Sequence, residues 1–303
     1  MLCSFCSNKA IYKKGSKYYC KNHFIEYFEN KVLETIRKYK LIEKGDRIGV
    51  GISGGKDSLS LMFFLNKYKD VLGIKKLVGI HIDEGIKGYR DILTKYLIKI
   101  SKDFGWEIHI YKFKEIFGYT LDEAVKIEKS IKPCTICGSW RRWILNKKAK
   151  ELRLNKIATA HNLNDEVQTV IMNILDGNIK DYLKGGIKTG IKDFEGFVTR
   201  IKPFYLITEK ETTIYSIING FYPPFVECPY IRNQIRDIVR KIIYEIDSEI
   251  PISEKIIIKY LNKKRENVKV ELKKCKICGE PTSKEICRAC EIKLRIKNSI
   301  QSI

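Results

Sequence analysis

Short apolar runs alternate with stretches of helical spacing through the first half of the chain. Asp46 to Ile52, Lys76 to Ile82, Trp106 to Lys112 and Lys156 to Ala160 each combine apolar and β-favouring residues over a strand's length. Each is followed by apolar positions three and four apart, the period of a helix with one buried face. The pattern predicts βαβ units, hence an α/β fold with a parallel sheet covered by helices on both faces and ligands at the carboxyl ends of the strands. Phe24 to Leu41 reads as an amphipathic helix leading into the sheet, and Ile231 to Ile246 and Ser253 to Lys264 as basic amphipathic helices. The longest apolar run, Leu59 to Leu65, is far too short to cross a bilayer, and the N-terminus lacks the basic and apolar stretches of a signal peptide. No membrane contact and a reducing, cytoplasmic location are expected.

Composition adds two facts. Of 303 residues 44% are hydrophobic, which supports a packed core, while 58 Lys and Arg against 36 Asp and Glu leave a formal charge of +22. Such self-repulsion points to a polyanionic partner, nucleic acid first. Ten cysteines in a reducing compartment point to metal or redox chemistry before disulfides. Cys3, Cys6, Cys20 and His23 form one set of paired ligands, with thirteen residues between the pairs; Cys275, Cys278, Cys287 and Cys290 form another, with eight. Paired soft ligands at these gaps match tetrahedral Zn2+; buried free thiols are the plainer alternative. Two occupied sites lower the net charge only to about +19, so the polyanion argument stands.

Ser53, Gly54, Gly55, Lys56, Asp57 and Ser58 follow the first strand and open a helix. The glycines let backbone approach an anion, the helix start offers free N–H groups, and Lys56 and the serines add donors. A Walker A loop is excluded, because Val50 stands where glycine is needed and Asp57 where Ser or Thr is needed. A G-x-G-x-x-G also occurs at Gly49, Gly51 and Gly54, with Asp83 able to imitate a ribose acid, but a dinucleotide reading leaves Lys56 to Ser58 and the cysteines unexplained. A solvated turn is the remaining alternative. Lys and Arg also gather at Arg141, Arg142, Lys147, Lys148, Arg232, Arg236, Arg240, Lys241 and Lys263 to Arg265, with Trp140 and Trp143 nearby, a distribution suited to a folded RNA.

Ser53 to Ser58 resembles the PP-loop of the ATP pyrophosphatases, which cleave ATP between the α and β phosphates. Together with Pro133 to Gly138, Thr159 to Glu166 and Glu227 to Tyr230, it is similar to the TtcA/TtuA group of tRNA 2-thiolation enzymes. The paired zinc modules resemble its TtuA/NcsA branch. The resemblance implies a PP-loop (HUP-like) domain at 30–225, zinc modules at 1–29 and 269–303, and a basic helical segment at 226–268. It implies adenylation of a uridine C2 oxygen by ATP and Mg2+, then replacement of that oxygen by sulfur, with tRNA as partner, a homodimer, and free sulfide or a ubiquitin-like carrier as donor.

Ser53 to Ser58, Ile82, Asp83 and His161 would line the ATP site, with Asp165 and Arg141 at positions tied to activation and target choice. Asp165 equally suits a first-turn helix acid. Cys134, Cys137 and Cys228 cannot complete a four-cysteine site; the resemblance implies a 4Fe-4S cluster with one open iron. A persulfide relay or a structural zinc with a fourth ligand from elsewhere are alternatives. Pro133 and Gly138 read as the brackets of an exposed loop. Arg141 favours the wobble uridine over the T-loop 5-methyluridine. A rival of another class is a zinc-ribbon RNA-binding protein with a nucleotide-sensing domain, and a third is a nicotinamide enzyme.

Overall fold

The computed structural model describes residues 1–177, 186–189, 196–231, 235–249 and 272–301. In chain order it contains β1 (Tyr12–Lys14), β2 (Lys17–Tyr19), α1 (Lys21–Lys38), β3 (Arg47–Gly51), α2 (Lys56–Lys67), β4 (Lys76–Asp83), α3 (Arg90–Asp103) and β5 (Ile108–Lys112). Next come α4 (Phe113–Phe117), α5 (Leu121–Ile127), α6 (Pro133–Glu151), β6 (Lys156–Ala158), α7 (Leu163–Leu175), β7 (Lys188–Thr189) and β8 (Thr199–Ile201). The described elements end with α8 (Glu209–Ile218), α9 (Ile235–Glu249), β9 (Lys273–Lys274), β10 (Pro281–Thr282) and α10 (Arg288–Gln301). None of the described helices is long and apolar enough to cross a membrane.

Six strands form one sheet in the order β5-β4-β3-β6-β8-β7, parallel except for β7 at the edge. Alternate residues of the central strands enter different cores. Ile48, Val50, Leu77 and Ala158 join the core built with α1, α2 and α8, whereas Val78, Ile80 and Ile157 pack with Ala149 of α6. Helices therefore cover both faces, and the four runs legible in the sequence are β3, β4, β5 and β6. The chain builds outward from β3 through β4 to β5, then returns to place β6 on the other side of β3. That reversal opens a crevice at the carboxyl ends of β3 and β6, where open α/β sheets bind ligands.

The N-terminal module docks through α1 and through one carboxylate. Glu211, fully buried at the start of α8, accepts hydrogen bonds from the Tyr12 hydroxyl at 3.0 Å and the Tyr27 hydroxyl at 2.6 Å, and pairs with Lys31 at 3.1 Å. It also closes the Thr208 capping box of α8. Glu211→Ala strands these donors, so it is expected to lose about 2–3 kcal/mol of stability by urea unfolding, and Glu211→Gln less. The C-terminal module docks on α6. Trp140 Nε1 donates to the Ala289 carbonyl at 3.2 Å, Trp143 Nε1 points to Cys278 Sγ at 3.4 Å, and Glu280 pairs with Lys150 at 2.5 Å and accepts from Asn146 at 2.7 Å.

Three expectations change. Pro133 to Gly138 is the first turn and a half of α6 rather than a loop, with Pro133 in the first turn where its missing N–H costs nothing. Trp140 is fully buried, stacked on Phe117 with centroids 4.2 Å apart, and so cannot meet RNA. The helix expected from Ile231 runs over Ile235–Glu249. Ser253 to Lys264, Arg232 and Lys263 to Arg265 lie outside the described residues.

Candidate active site at the sheet reversal

The loop after β3 is shaped by its own serines. Ser58 Oγ donates to the Gly55 carbonyl at 2.9 Å, accepts from Ser53 N at 3.1 Å and lies 3.2 Å from Ser53 Oγ. Gly54 has φ of +86°, and a Cβ there would meet the Leu93 carbonyl at 2.9 Å, so only glycine fits. Gly55 caps α2 without a side chain, leaving first-turn N–H groups for an incoming anion. Lys56 reaches Asp57 at 3.0 Å and Glu209 at 3.3 Å, and Asp57 also accepts from the Thr212 hydroxyl. Burial works against the Lys56 ammonium, but these carboxylates outweigh it and raise its pKa. Gly49 and Gly51 of the G-x-G-x-x-G lie inside β3, where a Cβ on Gly49 would strike Leu154 and Ile80 side chains. Gly49 thus serves sheet packing, whereas Gly51 lies on the wall of the cavity in the crevice.

A cavity of about 450 Å³ occupies the crevice, within the usual range for small-ligand sites. Ser53, Asp57, Ser58, Ile82, His161 and Asp165 line it, as does Arg141. Gly54, Gly55, Lys56 and Asp83 are not on its wall; Asp83 instead accepts the Gly85 N–H at 2.8 Å. Asp165 and Asn162 form a reciprocal capping box at the start of α7, which explains the acid locally. Its carboxyl is pushed up to about 6 by burial and by the nearby charges of Asp57 and Glu209, with the Asn162 N–H acting in the opposite direction. The folded protein thus holds this proton more tightly than the unfolded chain, and stability falls as pH rises from about 4 to about 6. Asp165→Asn keeps the cap and removes the charge, so its thermal stability is expected to match the parent below pH 4, exceed it above pH 6, and vary less in between. His161 is held neutral at the cavity wall, pulled down to about 3 by enclosure and by the charges of Lys202, Arg141, Arg236 and Arg200.

Glu84 and Arg90, both buried, form an ion pair beneath the loop. Arg90 Nη1 donates to the Ser53 carbonyl at 2.7 Å, and Glu84 reaches Arg141 on α6 at 3.4 Å. One chain of contacts therefore runs from the phosphate loop to the cysteine-bearing helix. Glu84, Arg90, Glu209 and Arg200 escaped sequence reasoning; the signal available for the first two was a charged pair flanking the turn after an apolar strand.

Cys134 is exposed, while Cys137 and Cys228 pack at the edge of the apolar cluster around Trp140. Cys134 Sγ lies 3.9 Å from the Tyr230 carbonyl, two residues past Cys228. The two terminal sets differ from this group: within each, the four ligand atoms lie within 4.8 Å of one another, and Cys6 to Cys20 and Cys278 to Cys287 are 3.6 and 3.7 Å apart. A tetrahedral Zn2+ with bonds near 2.3 Å needs edges of about 3.8 Å. Cys134, Cys137 and Cys228 do not form such a tight group. Burial pushes the Cys137 thiol up to about 12 and raises Cys228, so thiolates here need a cationic group to hold them. The start of α6 and Arg141 lend part of that positive field.

Comparison with known proteins extends the geometry. A family model described as a PP-loop domain matches residues 24–241. A probable sulfurtransferase of Methanocaldococcus jannaschii is 38% identical over 98% of this chain and 88% of its own length. A tRNA-5-methyluridine(54) 2-sulfurtransferase of Pyrococcus horikoshii is 38% identical over 96% of this chain and 93% of its own. The solved structure of the U34-tRNA thiolase NcsA from Methanococcus maripaludis with its 4Fe-4S cluster superposes with a TM-score of 0.82, at 32% identity, covering 96% of this chain and 95% of that one. With its loop after β3, its crevice at the sheet reversal and relatives alike over nearly their whole length, the chain belongs to the PP-loop domain family, among the tRNA 2-thiolation sulfurtransferases.

Proposed function

We propose that this chain 2-thiolates a uridine of tRNA at the expense of ATP. The observation that carries the reading is one cavity with the phosphate loop on one wall and, across Glu84 and Arg141, the three-cysteine site beside the other. The uridine O2 attacks the α phosphorus, the bond to the β phosphate breaks and pyrophosphate leaves; sulfur then forms a bond to C2 while the C2–O bond breaks and AMP departs. Lys56, the first-turn N–H groups of α2 and the serine hydroxyls meet the charge on the departing pyrophosphate. Asp57, next to Lys56 and on the cavity wall, would hold Mg2+. His161, neutral at the wall, contacts the nucleotide without adding charge.

Cys134, Cys137 and Cys228 would hold the 4Fe-4S cluster, whose open iron would supply sulfur to the activated carbon. Cys3, Cys6, Cys20 and His23, and Cys275, Cys278, Cys287 and Cys290, would each hold a structural Zn2+. Either free sulfide or a ubiquitin-like carrier meets the demand for a donor.

Arg141, fixed by Glu84, supports the wobble uridine as target; the identity with the Pyrococcus enzyme supports a second reading, the T-loop 5-methyluridine. Anaerobic incubation of the metal-loaded protein with ATP, sulfide and unmodified tRNA should yield AMP, pyrophosphate and 2-thiouridine, and mass spectrometry of the product tRNA locates the base. Binding of tRNA without thiolation would return the chain to the nucleotide-sensing class.

A further inference from the structure

We propose that Arg142 and Arg200 form a phosphate subsite that grips the RNA backbone beside the target nucleotide, separate from the loop that holds ATP. The inference rests on the reading of the chain as a tRNA-modifying enzyme. Both side chains line the cavity, and they come from different elements: Arg142 from α6, Arg200 from β8. Arg200 Nη2 donates to the Arg142 carbonyl at 3.1 Å, so the Arg200 side chain packs on the backbone of α6 at Arg142.

Their isolation from acids sets them apart. Arg90 and Arg141 share Glu84, and Lys202 holds Glu166 at 2.6 Å. Among the described residues no carboxylate pairs with Arg142 or Arg200. The pair repels itself: Arg200 is pushed down to about 10 by enclosure and by Arg142, and Arg142 is lowered by enclosure and by Arg141. An anion bound in the cavity beside them relieves that repulsion, and a phosphate offers the oxygens that guanidinium groups meet two at a time.

Position favours RNA over ATP. β8 stands two strands from β3, so Arg200 lies across the cavity from the phosphate loop. Arg142 folds back along α6, close enough that a Cβ on Gly138 would sit 3.3 Å from its Nη1, one residue from Cys137. An anion held there lies beside the cysteine site and toward the edge of the sheet that β8 and β7 form. A nucleic-acid strand entering from that edge would rest a backbone phosphate on the pair and extend its base toward the loop.

The test uses the full-length, metal-loaded chain and the variants Arg142→Gln and Arg200→Gln, with the corresponding lysine variants as controls. Binding of unmodified tRNA is followed by fluorescence anisotropy across a salt series, and ATP affinity by calorimetry. Each glutamine variant is expected to bind tRNA about tenfold more weakly at 0.1 M salt. The slope of log affinity against log salt should become shallower by about 0.7, the loss of one phosphate contact, while ATP affinity is unchanged. The lysine variants should keep the parent slope. Parent tRNA affinity and slope in folded glutamine variants would overturn the subsite, as would a loss confined to ATP. Failure of the parent protein to bind tRNA would instead strike the reading on which the subsite rests.

Discussion

Cys228→Ser should abolish thiolation, with a loss on the order of a thousandfold or more, while pyrophosphate release from ATP and tRNA persists. Cys134 and Cys137 sit within the first turns of one helix, and Cys228 arrives from a segment some ninety residues later, so no described cysteine stands ready to replace it. A serine hydroxyl stays protonated and is a poor partner for iron. Two thiolates on one helix then remain, too few for a three-point grip. The measurement is 2-thiouridine per tRNA together with the visible absorption of the anaerobically reconstituted protein. Parallel loss of absorption and thiolation is the expected outcome; retained thiolation with a persulfide trapped on Cys134 or Cys137 would replace the cluster by the relay.

Lys56→Ala should slow pyrophosphate release by about a hundred- to a thousandfold, with tRNA affinity preserved. The lysine does two things at once. It offers a cation to the departing phosphates, and it neutralises Asp57 and Glu209, both within hydrogen-bonding reach. Removing it leaves two carboxylates facing a polyanion, so the deficit exceeds that of one lost hydrogen bond. Lys56→Ala combined with Glu209→Gln should therefore recover part of the rate. An equal loss of tRNA binding would mean that the loop grips RNA and not ATP.

What the sequence disclosed and what it hid follow from the range of the interactions. The two four-ligand sets and the phosphate loop are local: a two-residue gap or a pair of glycines between strand and helix carries its meaning within a few residues. β3, β4 and β6 are buried because both faces are covered, and β5, at the edge, is half-buried. β8 is three residues long and half-buried, with Arg200 at its centre, so it offers no apolar run. The first turn of α6 reads as a loop because Pro133, Cys134, Thr135 and Gly138 are weak helix formers; the packing of Ile136, Trp140 and Ile144 beneath them imposes the helix. Glu84, Arg90 and Arg141 become one unit only when α6 reaches the turn after β4, across 57 residues of sequence.

The docking of the second cysteine module on α6 sets a timetable for biogenesis. Trp143 and Cys278 are 135 residues apart, so during synthesis the helix that carries Cys134 and Cys137 emerges long before its brace does. At a ribosomal pace of roughly 5–20 residues per second, that interval lasts several seconds or more. Cys228 also follows Cys137 by some ninety residues. A nascent chain can thus bury its first module on Glu211 and close much of the sheet while the helix that bears Cys134 and Cys137 still lacks both the third cysteine and its support. Any group that needs all three cysteines must therefore wait until synthesis has reached Cys228.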